Sequence, residues 1–275
     1  MTTSGVVRGQ TIDVLNVSID QFLGIPYAEL PVGRFRFAKP EPIKTPLNVR
    51  ENSHKFGGDR DQITIFGESA GSWSVSADIL SPLSKGLFKR AIMESGAHMY
   101  NKNIDRLTKS QALTKAKQFN CTETSDWLQC LRALNTDDLI APELGLSFPL
   151  NGDQFLPLRA KKAFETMKYN HGVNTSSESA LRRAFYDLTS HLMITCPTYM
   201  FAKQFARNVK ANAHNVYFYQ LTYVSQVLAN LYNCDVATKG VCHATDLTYV
   251  FGIPFLMPDI ATPDDIWFSR YIMEM

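Results

Sequence analysis

The apolar positions of this chain fall into short, interrupted runs. The sharpest is 63–66, Ile-Thr-Ile-Phe, a β-branched cluster with the pattern of a buried strand. Gly67-Glu68-Ser69-Ala70-Gly71 breaks it at once, and the mixed polar and apolar stretch 72–80 predicts a helix. Ahead of this unit, 3–16 alternates weakly and predicts a hairpin, and 22–27 predicts a short strand or extended segment. Pro31, Pro40, Pro42 and Pro46 keep 30–47 irregular. Behind the unit, 102–120 predicts a basic amphipathic helix whose charges read as a solvated face. Residues 125–134 predict a second helix, and 213–223, where aromatic and β-branched residues alternate, a strand.

A strand, then Gly-x-Ser-x-Gly, then a helix is the arrangement of a nucleophile elbow. The turn forces the serine backbone into a strained conformation, so its near neighbours must be small, and Gly67 and Gly71 meet that need. Ser69 is the candidate nucleophile, lifted clear of the strand with the positive end of a helix behind it. The Ala70 N–H points where an oxyanion would form. Taken alone, the motif also fits a chance serine in a strand–turn–helix.

Composition narrows the classes. At 275 residues the chain can form one large α/β domain or two small ones. A net charge of +2 gives no basic field that would argue for nucleic acid. No apolar run reaches the length of a membrane span, and the first residues, MTTSGVVRG, carry no apolar stretch of the signal-peptide kind. Five cysteines and three Asn-x-Ser/Thr sequons, at Asn16, Asn120 and Asn174, point instead to a secreted glycoprotein without its leader. Cys121 and Cys130 bracket one short polar loop, Cys234 and Cys242 another, and Cys196 is the odd one.

The flanks of the elbow decide its meaning. Residues 54–88, HKFGGDRDQITIFGESAGSWSVSADILSPLSKGLF, closely resemble the nucleophile region of the type-B carboxylesterases, the family of the cholinesterases. RAIMESG at 90–96 resembles the family's next strand, and QFLGIPYAELPVGRFRFAKPEP at 21–42 its N-terminal signature. NCDVATKGVCHATDLTYVFGIP at 233–254 resembles the segment that carries its catalytic histidine. The resemblance implies an α/β-hydrolase fold, a central mostly parallel sheet with flanking helices. It implies that 49–59 is the end of a long helix capped by Gly57-Gly58, with Ser53 standing where an apolar residue is expected on the buried face. Both local disulfides, Cys121–Cys130 and Cys234–Cys242, fit family positions, and the partner of a residue matching Cys196 lies further downstream.

By resemblance His243 is the general base. The family commonly has Gly-x-Glu after this histidine, where here Ala244-Thr245-Asp246 follows. Glu68 resembles a family glutamate with an electrostatic role, and Glu94-Ser95 a supporting pair behind the site. His54, His98, His171, His191 and His214 read as surface or packing residues, and no histidine pair has metal-ligand spacing, so no metal and no cofactor are expected. Phe148, in FPLNGDQFLP at 148–157, is equally a pocket aromatic or a core residue.

Two joins depart from the family. Before 49–59 the family has several central strands and a glycine-rich oxyanion loop, yet Asn48 runs straight into the helix tail and no His-Gly-Gly-Gly stretch occurs. After YNHGVN at 169–174 the family's acid motif, a glutamate followed by glycine, does not follow. Glu178, near this join, reads as a solvated helix-start residue and is a weak substitute for the acid. The expectation is one partial α/β-hydrolase domain over 1–275, internally shortened and ending before the family's last helices. Its function would be hydrolysis of a small carboxylic ester through Ser69 and His243, weak or lost in this form. A non-catalytic adhesion relative is the alternative, although such relatives tend to lose the serine kept here. A shortened splice form or gene model, inheriting the esterase scaffold without a complete machine, is another.

Overall fold

A computed structural model describes residues 6–14, 16–44, 49–98, 109–121, 126–139, 186–187, 190–209 and 214–275. The chain divides into two compact units, 1–65 with 84–90 and 103–148, and 66–83 with 91–102 and 149–275.

The first unit begins with a hairpin of β1 (Gln10–Val14) and β2 (Val17–Gln21), paired antiparallel with Val14 opposite Val17. The reversal falls at Asn16, whose φ of 64° is one that asparagine tolerates better than most residues. The hairpin is therefore displaced along the chain from the predicted 3–16. Weak alternation shows a pleat, but it does not fix where the chain turns. Residues 22–27 form no strand, and 30–44 are irregular apart from one 3₁₀ turn, Gly33–Phe35. Val49–Asn52 is a single helical turn that tightens into the 3₁₀ turn Ser53–Phe56 and stops at Gly57, φ 74°. Ser53 is buried, and its hydroxyl donates to the Arg50 carbonyl, which satisfies the polar group at this apolar-type position.

The basic helix runs over Lys109–Gln118 and the next over Trp127–Ala133, capped by the Asp126 carboxylate, which accepts from the Gln129 amide. The Cys121–Cys130 disulfide joins them, and Ala116, Cys121 and Leu131 form a small core. Asn16 and Asn120 are exposed.

In the second unit the helix Ala70–Leu80 buries Ser72, Trp73, Val75, Ser76 and Ala77. Two of its hydroxyls tie it to the segment 96–98: Ser72 donates to the Gly96 carbonyl, and Ser76 accepts from the His98 amide. A helix Cys196–Val209 covers a cluster built on Ala97 and Phe201, and Cys196 is a buried thiol. A further core of Val224, Leu228, Ala229, Cys234 and Tyr249 lies against Phe268 of the terminal helix Pro263–Met273. That helix starts with a capping box between Thr262 and Asp265. Asp265 also accepts from the hydroxyls of Tyr223 (3.1 Å) and Tyr249 (3.0 Å).

Residues 214–223 are not a strand, contrary to the prediction for 213–223. Alternation becomes a strand only beside another strand, and no described strand pairs with this segment. Tyr217, Phe218 and Tyr219 are left exposed.

Among the described residues the second sheet is the pair β3 (Thr64–Glu68) and β4 (Arg90–Glu94). They run parallel: the Arg90 amide donates to the Ile63 carbonyl, and the Ser69 amide to that of Glu94.

Candidate active site

Ser69 sits between the end of β3 and the start of the helix Ala70–Leu80, with φ 55° and ψ −115°. Non-glycine residues reach positive φ rarely, and such strain persists only where the surroundings hold it. The Ser69 amide is bonded to the Glu94 carbonyl at 2.9 Å, and the Ser69 carbonyl accepts from the Trp73 amide at 3.0 Å as the helix begins. A Cβ on Gly67 would lie 2.6 Å from the Gly71 carbonyl carbon, so this turn closes only on glycine. Gly71 differs from the expectation that both glycines must be small, because a Cβ there would meet open space. Its contribution is the backbone that packs on Gly67. Ala70 is the first helical residue, so its N–H is one of those with no acceptor inside the helix.

The candidate base arrives from later in the chain, within the second unit. Cys234, 2 % exposed, anchors a loop closed by the Cys234–Cys242 disulfide. The residue after that bond is His243. Its Nε2 lies 2.8 Å from Ser69 Oγ and 3.2 Å from Glu68 Oε1. Beyond it the chain folds back: Ala244 takes φ 69°, the Thr245 hydroxyl donates to the Cys242 carbonyl at 2.8 Å, and the helix Asp246–Val250 begins. Ser69, His243, Glu68 and Ala70 are thus together. Glu178, Phe148, His171 and Asn174 lie outside the described residues.

Around the pair stand three carboxyl groups with unequal tendencies to ionise. Burial pushes Glu68 up to about 7, with the charges of Asp246 and Glu94 adding to it. Glu94, 4 % exposed, is also pushed up to about 7 by burial and then by Asp246. Burial raises Asp246 too, but amide hydrogen bonds, the charge of His243 and the Ser95 hydroxyl pull it back. His243 is lowered from the usual imidazole range by burial, against a pull upward from Asp246. That lowering favours the neutral imidazole, the form a base needs. Tyr219 faces the same group; burial, then Glu94 and Asp246, raise its phenol.

These shifts set the sign of a pH dependence. Both glutamates bind protons in the folded state up to about pH 7, whereas their ordinary value is 4.5. The folded form then holds more protons than the unfolded form between those values. Stability falls as pH rises through that window. Thermal melting followed from pH 4.5 to 7 is expected to show that decline, and Glu94→Gln to flatten it. A wild-type melting temperature that rises throughout the window contradicts it.

Sequence reasoning passed over Asp246, treating 244–246 as a departure in a loop. The one signal was an acidic residue three positions after the histidine. Tyr219 was read only as part of a strand. Among the described residues no group of three or more His, Cys, Asp or Glu side chains is arranged to hold a metal ion. No helix there is long and apolar enough to cross a membrane.

The sequence profile of the Carboxylesterase family matches residues 1–48, 47–160 and 156–275, and the chain belongs to that family. It is 29% identical over 331 residues to Carboxylesterase 5A of Felis catus, an alignment covering 95% of this chain and 59% of the relative. It is 35% identical over 180 residues to Carboxylesterase 5A of Ovis aries, covering 59% and 46%. With Liver carboxylesterase of Sus scrofa it shares 37% identity over 150 residues, covering 46% and 26%. The chain thus spans about half the length of the relatives it matches, or less. The family's fold is the α/β-hydrolase, and the elbow on a parallel strand pair belongs to that architecture.

Proposed function

We propose that this chain is a serine ester hydrolase acting through an acyl-enzyme. The observation that carries this is the 2.8 Å contact between Ser69 Oγ and His243 Nε2 at a strained strand-to-helix turn. Ser69 Oγ attacks the acyl carbon of a small carboxylic ester while His243 Nε2 takes its proton. The carbonyl oxygen gathers negative charge beside the Ala70 N–H. His243 returns the proton to the departing alkoxide. A water then gives a proton to Nε2, attacks the acyl carbon, and Ser69 recovers its hydrogen as the acid leaves. No cofactor enters these steps.

The scaffold is read as one partial α/β-hydrolase domain over 1–275, internally shortened. Its support is that the family profile matches in three segments meeting at 47–48 and 156–160. The alignment with the cat relative also runs over more positions, 331, than the chain has residues. The first junction coincides with the join at Asn48; the second lies ahead of the join near Asn174. An oxidising, secretory setting fits two local disulfides and exposed sequons at Asn16 and Asn120.

A fluorophosphonate tests the reading without turnover. Incubated with the purified chain, it should add one adduct by intact mass, mapped to Ser69 by peptide sequencing. Ser69→Ala should remove the adduct. An adduct of equal yield on Ser69→Ala, or none on the wild type, refutes the reading.

A further inference from the structure

On the reading of Ser69 and His243 given above, we propose that the Cys234–Cys242 disulfide is the positioning device of this site. It holds the His243 imidazole on Ser69, and its reduction by a dithiol slows the reaction at Ser69 reversibly.

One end of the bond is fixed. Cys234 belongs to the core of Val224, Leu228, Ala229 and Tyr249 and is 2 % exposed. Its amide donates to the Ala229 carbonyl at 3.1 Å, and its carbonyl accepts from the Gln226 side-chain amide at 2.8 Å. The Gln226 side-chain oxygen in turn accepts from the Val236 amide at 2.9 Å. Both main-chain groups of Cys234 are bonded, inside a core that leaves little room to shift.

The other end carries the base. Cys242 is half-buried, and His243 follows it directly. Apart from the disulfide, the described polar contacts of 241–244 either stay within three residues along the chain or belong to the site. The Cys242 carbonyl accepts from the amide and hydroxyl of Thr245, and the Ala244 carbonyl accepts from the Leu247 amide. The contacts of His243 with Ser69 and Glu68 belong to the site. Val241 and Cys242 also pack against the core, but apolar contact is non-directional. The covalent bond therefore sets where the chain enters His243. Ala244 agrees with this. Its φ of 69° is one that a non-glycine residue keeps only where its surroundings impose it. The Cys121–Cys130 bond, by contrast, joins two helices of the first unit and encloses no residue of the site.

Reduction needs an external dithiol. One of its thiolates attacks the Cys242 sulfur, the more accessible end, and a mixed disulfide forms as the Cys234 thiolate leaves and takes a proton. The second thiol of the reagent displaces the Cys242 sulfur, which takes a proton in turn. Two electrons and two protons have passed to the protein, and the reagent has closed into a cyclic disulfide.

The test uses the full chain, oxidised and after dithiothreitol, with the bond state read by alkylation and peptide mapping. Two quantities are followed: the second-order rate of fluorophosphonate labelling at Ser69, and the His243 titration by NMR. Reduction should slow labelling by about 100-fold, the cost of a displacement of about 1 Å at the reacting atoms. The His243 midpoint should move up toward its ordinary 6.5, because a loosened ring leaves the burial that lowers it. Oxidised glutathione should restore both. Cys234→Ser/Cys242→Ser should label at the slow rate with or without dithiol, and Cys121→Ser/Cys130→Ser should keep the fast rate and the response. If either variant fails to fold, the reduced wild type decides. A folded, reduced chain in which rate or midpoint is unmoved overturns the proposal. So does loss of the far-UV circular dichroism spectrum on reduction, because the bond then holds the fold and not the base. If the oxidised wild type is not labelled at all, the reading of Ser69 fails, while the His243 midpoint still decides whether the bond positions the ring.

Discussion

Turnover of a nitrophenyl ester by the 275-residue chain should fall at least two to three orders of magnitude below that of a full-length carboxylesterase. The elbow brings Ser69 Oγ within 2.8 Å of His243 Nε2, the nucleophile and base of the proposed reading. In that reading the Ala70 N–H is the donor identified toward the oxyanion, and no His-Gly-Gly-Gly stretch occurs in the sequence to add another. Each lost oxyanion donor costs about 10²–10³ in rate. The missing family acid would cost about 10⁴ if nothing stood in for it. The two do not simply multiply, since triad members act as a unit. A chain that labels stoichiometrically with a phosphonate but barely turns over is the expected pattern. Serine-dependent turnover at the rate of a full-length relative would show that other donors complete the oxyanion site.

Gly67→Ala should abolish labelling, and Gly71→Ala should not. At Gly67 the new methyl would meet three backbone atoms of Gly71: carbonyl carbon at 2.6 Å, oxygen at 2.7 Å and Cα at 3.0 Å. No rotamer relieves a clash with main chain, so strand end and helix start must separate. Overpacking of this kind costs about 1–3 kcal/mol. The larger consequence is geometric: a displacement of about 1 Å at the nucleophile is worth roughly 100-fold in rate. Gly71 is inside the helix and faces open space, so alanine there gains about 0.5–1 kcal/mol of helix stability. Labelling rates and melting temperatures of the two variants decide it. Equal labelling of Gly67→Ala and wild type contradicts the elbow as described.

What the sequence disclosed here followed the range of the interactions involved. The elbow could be read because its strand, its glycine and its helix are contiguous. The helix end at Gly57 and the cap at Asp126 are local for the same reason. The hairpin slid because alternation in 3–16 carries a period but no register, and the turn at Asn16 took precedence. Residues 214–223 failed as a strand because pairing depends on a neighbour the alternation cannot name. His243 was reached through family resemblance, since nothing in a single loop histidine declares that a serine 174 residues away will be 2.8 Å from it. Asp246 was passed over because burial and an unpartnered oxygen are properties of the folded surroundings.

The bond between Cys234 and Cys242 ends one residue short of His243. It is made after synthesis, by an oxidant the chain does not carry. Two molecules of identical sequence, one oxidised and one reduced here, therefore differ by a covalent link one residue from His243. Redox history becomes an input to the chemistry alongside the genetic message.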